Sequence, residues 1–183
     1  MTGIIRPFNG IWPQIDVTAF IAETAVIIGD VVIGPESSVW YGSVVRGDVN
    51  RIRIGARTNI QDGTVVHVNH DPNGDYRETG GGMPTHIGDD VTIGHMALIH
   101  ACRLESGSFV GMRATVMDEA VVATGGMVAA AALVTPRKRV AGGELWGGSP
   151  AKRMRDLTDA ECDDLGYTAK HYVEVATAHR DAK

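Results

Sequence analysis

The stretch Ile93-Gly94-His95-Met96-Ala97-Leu98-Ile99-His100 sets two histidines five residues apart among small and aliphatic residues. A third, His67, lies upstream in the matching context Val65-Val66-His67-Val68. Three neutral imidazoles with one open position are the ligand set of a hydrolytic or hydrating zinc centre. Such an ion lowers the pKa of its bound water to about 7, which supplies hydroxide at neutral pH. Whether three side chains share one ion depends on the elements that carry them.

Those elements repeat. From Ile15 an aliphatic residue recurs every six positions, through Ile21, Ile27, Ile33, Val39 and Val45. The pattern resumes at Ile54, Ile60 and Val66, again at Ile87, Ile93 and Ile99, and after one short step runs from Leu104 through Val110, Val116, Val122, Val128 and Val134 to Val140. A helical period of 3.6 fits none of this, whereas sustained hexads are the signature of a parallel β-helix. Three hexads make one triangular turn, which gives an all-β core of about six to seven rungs. Two insertions interrupt it, a short one over Arg46–Arg51 and a long one, HVNHDPNGDYRETGGGMPTH, between Val66 and Ile87. A Pro-, Gly- and Asp-rich loop of that length is commonly functional.

Assigning successive aliphatics to faces A, B and C places Val39, Ile60, Ile93 and Val110 on A, and Ile27, Val45, Val66, Ile99, Val116 and Val134 on B. The long insertion then takes the place of one hexad on face C. His67 and His100, each one position after a face-B aliphatic, stack in one column on adjacent rungs, with Arg46 one rung further on. Asp62 and His95 form a second column, two positions after a face-A aliphatic, and Gln61 and Gly94 form a third. A six-residue strand spans about 20 Å. His95 is therefore expected to reach an ion held by His67 and His100 only from a neighbouring subunit, in a threefold assembly. His86, His171 and His179 lack this context and read as ordinary polar residues.

The repeat ends after Val140, so residues 1–145 are assigned to the coil, and 146–183 to a turn-rich linker (Trp146-Gly147-Gly148-Ser149-Pro150) and a C-terminal α-helix. Thr158-Asp159-Ala160-Glu161 fits a capping box, and Leu165, Ala169, Tyr172, Val173 and Ala176 form one apolar stripe to pack on the coil or a neighbour. Over 183 residues the formal charge is only −5, and no basic cluster exceeds Arg137-Lys138-Arg139. That argues against a nucleic-acid partner. No apolar run reaches the length of a membrane span, and no secretory pattern is visible. Cys102 and Cys162 read as small buried or half-buried residues of a reducing compartment. A soluble cytoplasmic protein is expected.

The motifs VRGDV (Val45–Val49), NIQDGTVVHV (Asn59–Val68), IGHMALIHAC (Ile93–Cys102) and GSPAKRMRDLT (Gly148–Thr158) together resemble the gamma-class carbonic anhydrases, and the resemblance covers nearly the whole chain. It implies a left-handed parallel β-helix and a homotrimer with three inter-subunit sites. Each would hold Zn2+, or Fe2+ or Co2+, through His67, His95 and His100. It further implies reversible hydration of CO2 to bicarbonate by metal-bound hydroxide. Gln61 would orient the nucleophile, Arg46 and Asp48 would form an ion pair shaping the site, and Asp62 would lie nearby. One branch of the family has an acidic residue where Val49 stands, and a proton-transferring glutamate on the loop after the first ligand. Here His70, three residues beyond His67, has a side chain suited to that shuttle. Tyr172 stands where helix tyrosines of relatives reach the site. Two other classes share the coil: a thioesterase or acyltransferase acting on acyl-CoA, and a non-catalytic metal-binding homologue.

Overall fold

The computed structural model describes residues 3–182. Its core is a parallel β-helix. Among the described residues each face stacks seven parallel strands. On face B these are Ile4–Arg6, Val26–Ile28, Val44–Arg46, Val65–His67, Leu98–His100, Thr115–Val116 and Leu133–Val134. On face A they run from Phe20–Ile21 through Ser38–Val39, Asn59–Ile60, Thr92–Ile93, Phe109–Val110 and Met127–Val128 to Glu144–Gly148. Face C runs from Gln14–Ile15 to Arg139–Val140. The hexad aliphatics fill the interior: Ile27, Val45, Val66, Ile99, Val116 and Val134 on face B are all fully buried, as are Val39, Ile60, Ile93 and Val110 on face A. Each such side chain removed from water stabilises the coil by about 1.5–3 kcal/mol.

Because side chains alternate across a strand, an inward aliphatic forces its neighbours outward. The residue after it therefore stands on the coil's surface. Stacking in register carries that side chain into line with its equivalent one turn away, which is how the hexad creates columns. Close stacking also demands small residues. Gly29 lies in the left-handed region (φ 78°) with the carbonyl of Gly47 directly against the place a Cβ would occupy.

The long insertion removes no strand from face C. It lengthens the corner between B and C, and Thr85–Ile87 still pairs with Ile52–Ile54 on one side and Arg103–Leu104 on the other. The loop is tied at its neck by paired hydrogen bonds between Asn69 and Met83 (2.9 and 3.1 Å). At its tip a short helix, Tyr76–Thr79, begins at Asp75, and the Tyr76 hydroxyl donates to Asp30 (2.8 Å).

The stretch read as a linker is partly strand. Glu144–Gly148 continues face A by pairing with Met127–Val128, then turns back antiparallel as Ala151–Asp156. Its glycines signal turn, but stacking on a coil requires only backbone groups and one inward side chain, Trp146, which lines up with the buried Val128 and packs against the core. The C-terminal helix spans Asp159–Asp181, and the capping box between Thr158 and Glu161 is formed. It lies across face A of its own coil, burying Leu165, Ala169 and Ala176. His179 joins this packing: its ring lies 5.1 Å from that of Trp40 and its Nδ1 lies 3.0 Å from the Tyr41 hydroxyl. Cys102 is buried as expected, whereas Cys162 is exposed on the first turn of the helix. Among the described residues no helix is long and apolar enough to cross a membrane.

Candidate metal centre

His67 and His100 sit opposite one another on adjacent face-B strands. Their ring centroids are 5.3 Å apart, and His67 Nδ1 lies 3.3 Å from His100 Nε2. The far nitrogen of each ring meets a carboxylate: His67 Nε2 is 3.0 Å from Asp48 Oδ1, and His100 Nδ1 is 2.6 Å from Asp118 Oδ1. An ionised carboxylate only accepts hydrogen bonds, so the proton of each neutral ring belongs on that far side. The two near nitrogens then face each other as lone pairs with no proton between them, an arrangement that a shared cation relieves. Two vertices of a tetrahedron with Zn–N bonds of about 2.0–2.1 Å are about 3.3–3.4 Å apart, so the pair fits the ion that the gamma-class resemblance implies. A carboxylate behind each histidine is the usual support of such ligands, fixing tautomer and ring orientation.

The electrostatics agree at His67 and at the two carboxylates. Burial pushes His67 below the ordinary histidine value despite the pull of Asp48. Burial alone would raise Asp48, but hydrogen bonds from His67 and Arg46 hold it below the usual carboxylate range. Asp118 is likewise held down, against its burial, by His100 and Asn69. Neutral rings and ionised carboxylates at pH 7 are the states a metal site requires. Arg46 makes a close ion pair with Asp48, so it acts on His67 through that carboxylate.

The remaining sequence-derived candidates gather elsewhere on the coil. His95 Nδ1 pairs with Asp62 Oδ2 at 2.8 Å, on the corner between faces A and B. Gln61 is buried beside them, its amide nitrogen donating to Asn59 Oδ1 (3.0 Å), and Asn59 in turn donates to Thr92 Oγ1 (2.9 Å). Tyr172 packs edge-on against Trp40, with centroids 5.5 Å apart, and lines a cavity of about 330 Å³ with Asp62. Burial, with a smaller contribution from the Asp62 charge, pushes its phenol up. His70 is exposed on the long loop and shares a cavity of about 290 Å³ with Asp48, Val49 and Tyr76. The candidates thus form two half-sites, His67, His100, Arg46 and Asp48 at one edge of face B, and Gln61, Asp62 and His95 at the other. Among the described residues of one chain, no group of three His, Cys, Asp or Glu side chains is placed to hold a metal.

Asp118 and Asn69 were not among the residues picked from the sequence. Asp118 follows the face-B aliphatic Val116 by two positions, one turn beyond His100. The register of the hexads therefore carried the signal: a carboxylate at that offset on the next turn.

No family model matches the chain. It is 50% identical over 91% of its length to gamma carbonic anhydrase 2, mitochondrial, of Arabidopsis thaliana, of which it spans 58%. It is 37% identical to a carbonic anhydrase of Geobacillus kaustophilus, over 93% of this chain and 88% of that one. The chain belongs to the gamma carbonic anhydrase family. The gamma-class coil also matches a crystal structure described as a hexapeptide transferase family protein from Anaplasma phagocytophilum, with a TM-score of 0.88, 46% identity and coverage of 97% of this chain and 99% of that one. The first two plant relatives are longer, and the chain spans 58% and 59% of them.

Proposed function

We propose that this gamma-class chain is a metal-dependent carbonic anhydrase that interconverts CO2 and bicarbonate at sites shared between the subunits of a homotrimer. The observation that carries the reading is the pair of imidazole nitrogens facing each other at 3.3 Å, each ring with a carboxylate behind it. The third ligand is His95 of a neighbouring subunit. Zinc, with iron(II) or cobalt(II) as substitutes, supplies when bound an acidified water to attack CO2.

The protein's own groups orient that chemistry. Gln61, its amide nitrogen occupied by Asn59, offers its carbonyl oxygen to the proton of the attacking water and fixes its direction. Asp48 keeps the His67 lone pair aimed at the metal, and Arg46 keeps Asp48 ionised and in place. Asp62 does for His95 what Asp48 does for His67. His70, which lines a cavity with Asp48 and is exposed on the long loop, takes the product proton to solvent.

The surface around the half-sites supports the trimer. Face B turns outward Val65 and Leu98, the latter 40% exposed, and the neighbouring corner presents Met96 at 65% and Met112 at 53%. An exposed apolar patch of this kind suits burial against a second chain. Thioester hydrolysis is the competing chemistry, since the site would deliver the same water to an acyl carbon.

Stopped-flow CO2 hydration on zinc-loaded protein, and on iron-loaded protein prepared without oxygen, tests the proposal. Turnover well above buffer in at least one form is expected. No turnover in either would reject it, and hydrolysis of acyl-CoA by the same samples would put the thioesterase reading in its place.

A further inference from the structure

The long loop has a second connection to the centre. Asn69, two residues beyond the end of the strand at His67, donates from its side chain to Asp118 Oδ2 (2.9 Å), while Asp118 Oδ1 takes the proton of His100 (2.6 Å). Asn69 is itself held firmly. Its backbone pairs with Met83 across the loop neck. The buried Asn50 donates to the carbonyls of both Asn69 and Gly81 (3.2 Å each), bracing the loop's two arms. A continuous chain of hydrogen bonds therefore runs from the short insertion through the long loop to the second histidine.

We propose that Asp118, oriented by Asn69 at the neck of the loop, is the positioning residue for His100, and that the base of the loop serves to hold this pair. The inference rests on the metal centre proposed above. Its chemistry is geometric. With one oxygen occupied by Asn69, the carboxylate has the other directed at His100 Nδ1, which locks the ring as the Nδ1–H tautomer. That leaves Nε2 bare and aimed at His67. Without Asp118 the ring is free to place its proton on Nε2 or rotate, and either removes a ligand. A partner of this kind contributes about 10–100-fold in metal affinity.

A residue swap separates this role from general stability. In Asp118→Asn the ring keeps only a neutral acceptor, and the amide of Asn69 must turn over to meet the new amide nitrogen, which undoes the charge and orientation that the native pair provides. In Asn69→Asp with Asp118→Asn, the amide at 118 donates to the carboxylate at 69 and again offers its oxygen to His100. Co2+ affinity, measured by competition with a chelator, should fall about 10–100-fold in Asp118→Asn and recover substantially in the double variant, while the melting of all metal-free proteins stays close to wild type. Nitrogen-15 spectra of the metal-free proteins should show His100 as Nδ1–H in wild type and in the swap, and as a mixture in Asp118→Ala. Unchanged Co2+ affinity in Asp118→Asn, or a swap no tighter than that single variant, would overturn the inference. Failure of wild type to bind Co2+ would count against the metal centre itself, and the tautomer spectra would still decide the role of Asp118.

Discussion

At the scale of single residues, the centre depends on protons being kept out of the space between two rings. Replacing His67 or His100 by alanine removes one of two lone pairs, and metal content after purification should fall to roughly a tenth or less of wild type; elemental analysis reads this directly. The two cysteines give an independent check on burial. Cys102 is fully buried, which pushes its thiol up to about 12, whereas Cys162 is exposed. Iodoacetamide at pH 8 should modify one thiol in the native protein and two after denaturation; two in the native state would contradict the packing around Cys102. The histidine column was legible from sequence because each ring follows a buried aliphatic by one position, and strand alternation then dictates where it points. Asp118 was not picked out, although the hexad register places it one turn beyond His100, because it follows its aliphatic by two positions and so lies one residue off the histidine column.

At the scale of elements, the coil is a stack whose interior tolerates little change. Ile99 is fully buried between Val66 and Val116, and Ile99→Ala should cost about 2–5 kcal/mol in urea unfolding. The C-terminal helix carries a pH-sensitive start. The Arg155 guanidinium, then the Thr158 backbone, hold the Glu161 carboxyl down to about 2 from 4.5. A carboxylate depressed in the folded state stabilises above its unfolded value, and that contribution is lost as pH falls through the folded one. Glu161→Gln should therefore lower stability at pH 7, with the difference from wild type shrinking below about pH 4.5 and vanishing towards pH 2 in denaturation experiments; a constant difference across that range would contradict the assigned charge. The hexads made faces A, B and C readable, since each aliphatic marks one strand. The closing hairpin was harder to read. Its outer strand, Ala151–Asp156, exposes Lys152, Arg153 and Arg155, so it has no buried periodicity to detect. Those charges instead protect the last parallel edge from further pairing.

At the scale of the whole molecule, the two half-sites lie on opposite edges of one face, and the proposed trimer is what would join one chain's half to its neighbour's. Sedimentation should give three times the 19.5 kDa chain mass. Leu98→Glu, which places a charge on the outward side of face B, should shift the population to monomer and lower metal occupancy with it. Occupancy that persists in the monomer would remove the need for a partner. Sequence register alone separated His95 from the other two histidines. What it could not supply was the surface that brings chains together, because exposed apolar residues on a coil carry no period of their own.

The most direct test is complementation. His95→Ala has an intact His67/His100 pair, and His67→Ala has an intact His95; each alone should hold little metal. In trimers formed at random from equal amounts of both, each mixed trimer has one junction joining the intact halves, so about one quarter of wild-type metal and CO2 hydration should return. Recovery near that fraction is the result the shared centre predicts. No recovery in co-assembled trimers, or wild-type metal content in His95→Ala alone, would contradict it.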